Sequence, residues 1–88
     1  MPRYLVERTV PAQSREQIEA TARKAVQVYA KMGNIKWIKS YISDAEGKIY
    51  CEFEAPDPEV VAEASRRIGI PYDRISLISM ELNAELYL

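Results

Sequence analysis

Trp37-Ile38-Lys39-Ser40-Tyr41-Ile42 and Lys48-Ile49-Tyr50-Cys51-Glu52-Phe53-Glu54 flank a turn at Asp44-Ala45-Glu46-Gly47. Both runs read as strands, and both carry large apolar side chains on each of their faces. A small antiparallel sheet can cover one face with its own helices and leave the other to water. Here the second face mixes aromatic rings with charges, which points to a further covering, either a second copy of the chain or a ligand.

The rest of the chain supplies the partners of this hairpin. Arg3 to Thr9 alternates, with Tyr4, Val6 and Arg8 on one side and Leu5, Glu7 and Thr9 on the other, and Pro11 ends that strand. Ser14 with Gln17 three residues on forms a capping box. Ile18, Ala22, Ala25, Tyr29 and Met32 then recur at helical spacing, and Gly33-Asn34 closes the helix. Asp57-Pro58 is an N-terminal signal for a second helix with the stripe Val60, Val61, Ala64 and Ile68, ended by Gly69 and Pro71. Arg74 to Asn83 alternates again, with Ile75 and Leu77 against Ile78, Met80 and Leu82. The order β-α-β-β-α-β predicts a ferredoxin-like α+β fold, a four-stranded antiparallel sheet with two helices on one face. Residues 1–88 are expected to form a single domain.

Composition narrows the function. Lys+Arg 12 against Asp+Glu 13 leaves a net charge of -1, so the chain has no overall attraction to phosphate backbones or anionic membranes. Nucleic acid is not an expected partner: Glu52 and Glu54 on the third strand would repel phosphates. No apolar run approaches the length of a membrane span, and the opening Met-Pro-Arg-Tyr alternates like a strand rather than a leader. A lone cysteine suits a reducing compartment, and a cytoplasmic location is the expectation. The chain has no histidine, which removes triads, the usual base near neutral pH and the commonest transition-metal ligand. No metal site and no cofactor are therefore expected.

Candidate binding residues come from alternation. Ile49, Cys51 and Phe53 are expected to face the helices, and Tyr50, Glu52 and Glu54 to face away. The same reasoning sets Trp37, Lys39 and Tyr41, with Tyr4, Val6 and Arg8, on the open face, although Ile38 and Ile42 leave the second strand's parity open. The candidate ligand-binding set is Tyr4, Arg8, Trp37, Lys39, Tyr41, Tyr50 and Glu52, a surface of rings with both charge signs. Arg8 could meet a ligand carboxylate bidentately. The competing reading of the same residues is a dimer interface with cross-strand ion pairs.

Several blocks carry a family resemblance: Met1-Pro2-Arg3-Tyr4-Leu5-Val6-Glu7-Arg8-Thr9, Trp37, Ser40-Tyr41, Tyr50-Cys51, Ala55-Pro56, Glu63, Arg66-Arg67, Gly69 and Pro71. In these the chain resembles a family of small bacterial domains of unknown function that includes a nickel-binding protein with a dimeric ferredoxin-like α/β barrel. The resemblance implies the fold and a homodimer. It does not carry nickel binding over, because the family commonly has a histidine directly after the glutamate of its second helix and Ala64 stands there.

Three functions remain in competition. The first is a homodimeric small-ligand-binding protein with its site on the open sheet face. The second is a small dimeric α/β-barrel enzyme, of isomerase or cofactor-free oxygenase type, using Glu52, Glu54, Tyr41 and Tyr50 as acids or bases. The third is an interaction module without a ligand.

Overall fold

The alternating run at the start folds as strand β1 (Arg3–Thr9), and the capped apolar stripe after it as helix α1 (Arg15–Met32). A computed structural model describes residues 1–88 and completes the chain with β2 (Lys36–Ser43), β3 (Lys48–Glu54), α2 (Pro58–Ile68), β4 (Arg74–Leu77) and a final 3-10 turn at Ala84–Leu86. The Gln17 N–H donates to Ser14 Oγ at 3.1 Å and the Ser14 N–H to Gln17 Oε1 at 2.9 Å, so the first turn of α1 closes on its own side chains. Asp57 Oδ1 accepts from the Val60 N–H at 3.0 Å to cap α2. Gly33 ends α1 with φ 74°, a left-handed backbone that costs little only without a Cβ. No helix is long and apolar enough to cross a membrane.

The strands form one antiparallel sheet in the order β2-β3-β1-β4. Both helices pack on one of its faces, and the result is the ferredoxin-like α+β fold. The core lies between sheet and helices. Val6, Phe53 and Val61 are at most 1% exposed, and burying a side chain of this size contributes roughly 1.5–3 kcal/mol. The Tyr29 ring meets Phe53 edge-on, with centroids 5.4 Å apart, and lies 6.2 Å from Trp37, the offset geometry that aromatic quadrupoles favour.

Three expectations are corrected by this arrangement. Tyr4, Val6 and Arg8 face the helices rather than the open side, because they pair with Phe53, Cys51 and Ile49 and directly paired residues share a face. Trp37 also lies on the helix side, opposite Phe53. A β-bulge between Trp37 and Lys39 leaves Ile38 without a partner, so Lys39 and Tyr41 alternate out of phase with Trp37. The fourth strand stops at Leu77 rather than continuing to Asn83. Its partner β1 begins at Arg3, and after the Ile78 N–H donates to Arg3 O at 2.9 Å no strand is left to pair with.

Candidate functional site

Four of the seven candidate residues share the open face. Lys39 lies opposite Glu52 and Tyr41 opposite Tyr50 on the β2–β3 ladder, within reach of one another as cross-strand neighbours. β1 adds Arg3, Leu5 and Glu7, which pair with Glu54, Glu52 and Tyr50. The sequence expectation gives β1 the opposite parity and so leaves these three out of the candidate set. Polarity could not have decided it, since Leu5, Glu7 and Thr9 and the opposite row Tyr4, Val6 and Arg8 each hold one apolar, one hydroxyl-bearing and one charged residue.

The charges on this surface are unevenly engaged. Arg3 donates from Nη2 to Glu52 Oε2 and from Nη1 to Glu81 Oε1, the latter at 2.6 Å. Lys48 Nζ stands 3.9 Å from Glu7 Oε2 and 3.6 Å from Asp73 Oδ2. Lys39 takes part in no such pair; its Nζ sits 5.8 Å from the centroid of the Tyr41 ring, a cation–π contact of modest strength at an exposed position. Two concavities of the chain lie elsewhere. One is a nook of about 10 Å³ between Val10, Ile18, Ile42 and Gly47, and the other an open groove of about 540 Å³ between Lys31, Asp57, Glu63 and Arg66.

The other three candidates do structural work on the helix side. Arg8 is 2% exposed and donates from Nη1 to Ser65 Oγ and to Pro71 O, both at 3.0 Å. Ser65 belongs to the last turn of α2, the negative end of that helix's dipole, which offsets part of the cost of burying a guanidinium without a carboxylate. Tyr4 is in the core cluster, and Trp37 packs against it while donating from Nε1 to Ser40 Oγ at 2.9 Å. Cys51 is buried on the same side as a free thiol. The shifted groups also lie off the open face. Burial pushes the Tyr29 phenol up to about 12, Arg8 opposing and Cys51 reinforcing the shift. Hydrogen bonds from Arg67 and then Arg66 hold Glu63 below the usual carboxylate range.

The family described as "Nickel responsive protein SCO4226-like" matches residues 4–78. The chain belongs to this family. The match takes in both helices and all four strands except Arg3, the first residue of β1, and leaves out residues 79–88. Among solved structures, the crystal structure of SCO4226 from Streptomyces coelicolor A3(2) is similar at a TM-score of 0.82, with 21% identity, covering 91% of this chain and 99% of that one. At that identity the likeness to SCO4226 is one of fold. No curated protein matches the chain.

Proposed function

We propose that the chain is a homodimeric binding protein in which the open sheet faces of two copies meet around a small ligand. The observation that supports this most is the contrast between the two sides of one sheet. The helix side is filled, while Leu5, Tyr41 and Tyr50 stand on the other side with charges of both signs and no covering element. Exposed apolar surface of this kind in so small a domain marks a contact surface. Lys39, Tyr41, Tyr50 and Glu52 line the proposed site. Glu52 and Glu7 are engaged by Arg3 and Lys48, whereas Lys39, though opposite Glu52, is in no ion pair, so the class of ligand favoured is a small molecule with an acidic group and a flat apolar body. The buried thiol of Cys51 is consistent with a cytoplasmic place for such a protein.

We expect no nickel site built from this chain's own side chains. Nickel is held by imidazole, thiolate or tetragonal nitrogen and oxygen sets. The chain has no histidine, and no three His, Cys, Asp or Glu side chains converge on a point that could hold a metal ion. Isothermal titration of the tag-free protein with nickel should give no stoichiometric submicromolar binding; such binding would show that carboxylates and Cys51 suffice.

Native mass spectrometry of the purified chain tests the binding reading. The expected result is a dimer carrying a small co-purified mass that is lost in Lys39→Ala and Tyr50→Ala. A dimer that never retains or accepts an acidic small molecule would leave only the interaction module.

A further inference from the structure

Met80, Leu82, Leu86, Tyr87 and Leu88, in the segment after β4, are 64% to 99% exposed. The segment is nonetheless fixed to the sheet. The Ile78–Arg3 hydrogen bond extends the β1–β4 ladder by one position and sets Ile78 opposite Arg3, on the open-face side. The Arg3 guanidinium then holds Glu81 with one nitrogen and Glu52 of the candidate site with another. Beyond it, the Leu86 N–H donates to Asn83 O at 3.2 Å and the Tyr87 N–H to Ala84 O at 3.0 Å, so the end of the chain is folded into a turn. A strap this apolar, tied at the rim of the open face, covers nothing in its own chain.

Surface area and charge indicate what it covers. The chain exposes 6108 Å², where a compact monomer of its mass exposes about 5,300 Å². The excess of roughly 800 Å² equals the share one partner contributes to a standard-size interface. The radius of gyration is 13.5 Å, against about 12 Å for a compact chain of this length. The open face mixes Arg3, Lys36, Lys39, Lys48 and Arg74 with Glu7, Glu52 and Glu54. Both signs on one surface suit a self-complementary contact about a two-fold axis better than a partner of a single strong charge.

We infer that residues 78–88 form an arm that reaches onto a second copy of the chain, its apolar side chains sealing the rim of the partner's open face near Glu52. The inference rests on the dimer proposed above and adds that the ligand site is incomplete until the partner's arm closes it. Sedimentation equilibrium decides between them, run on the full chain, on the double variant Met80→Glu/Leu82→Glu, and on the control Val26→Glu, whose side chain is exposed on α1. The expected result is a dimer for the full chain and the control, with the arm variant's dissociation constant raised at least about tenfold and its circular dichroism unchanged. A dimer as tight in the arm variant as in the control would overturn the arm and leave the dimer standing. A monomeric full chain at tens of micromolar would overturn both. Unfolding of the arm variant would overturn the arm as well, since side chains that cover nothing in their own chain are not needed for its fold.

Discussion

Consecutive residues of β3 live in two different environments. Cys51 and Phe53 lie against α1 and α2 and are almost fully enclosed, while Tyr50, Glu52 and Glu54 look out from the opposite side and stay half-buried. The helix side tolerates even a cation when part of its hydrogen bonding is supplied: Arg8 Nη1 settles on Ser65 and Pro71, while its Nε is buried without a partner. The open side pairs Arg3 with Glu52 and Lys48 with Glu7, and leaves Lys39 and the tyrosine rings available. One side therefore sets stability, and the other is where recognition is expected. A charged residue's chemistry does not say which side it belongs to; its register does.

Substitutions on the two sides should separate these roles. The largest effect is expected for Phe53→Ala, which should cost about 3–5 kcal/mol in urea unfolding by emptying the core. Tyr50→Ala, three residues earlier on the other side, should shift the monomer's stability by less than about 1 kcal/mol. Equal losses would break the distinction. Arg8→Ala comes next. It removes two charge-assisted hydrogen bonds and should cost roughly 2–3 kcal/mol without altering retention of an acidic ligand. Lost retention in a stable Arg8→Ala protein would return Arg8 to the binding machinery.

Titration sharpens the same contrast with smaller effects. The Tyr29 phenol ionises only at about 12 in the folded chain, against 10.0 for a free phenol. Between those values the unfolded chain gives up a proton that the folded chain keeps, so stability falls as the pH rises through that window. Urea midpoints measured across it should drop for the native chain and drop less for Tyr29→Phe. An identical slope in both would mean that the ring is wetter than its packing indicates. Glu63 works in the opposite direction at the acid end. Its lowered pKa stabilises the fold above the ordinary carboxylate value, and that contribution disappears as the pH falls through the lowered one. Because Glu63 sits on the solvent side of α2 and its ion pairs are screened, Glu63→Gln should move the midpoint least of all these changes.

Local signals in the sequence located most of the architecture. The bounds of β1 and β3, the Ser14–Gln17 box and the Asp57-Pro58 start of α2 all rest on chemistry within a few residues, and the structure places them as the sequence does. What was not legible depends on pairing between distant segments. Alternation sets Arg8 outward together with Tyr4 and Val6, but the ladder to Ile49 turns it inward. Trp37 was phased with Lys39 and Tyr41, but a single unpaired residue, Ile38, breaks the phase, and a period-2 pattern carries no sign of a bulge. Ile78, Met80 and Leu82 alternate as a strand would, yet β1 has ended before they arrive. For the candidate site, alternation along β3 sufficed to set Tyr50 and Glu52 on the open face. Arg3, which clamps Glu52, became visible only with the register of β1.

The central claim is that the open sheet face is covered by a second copy of the chain. Sedimentation velocity of the 88-residue chain at tens of micromolar decides it. The expected result is one species at twice the 10.1 kDa chain mass, shifting toward monomer when Tyr41 and Tyr50 are both changed to Glu while the circular dichroism of the fold is retained. A clean monomer at that concentration, with the open face wet, would contradict it.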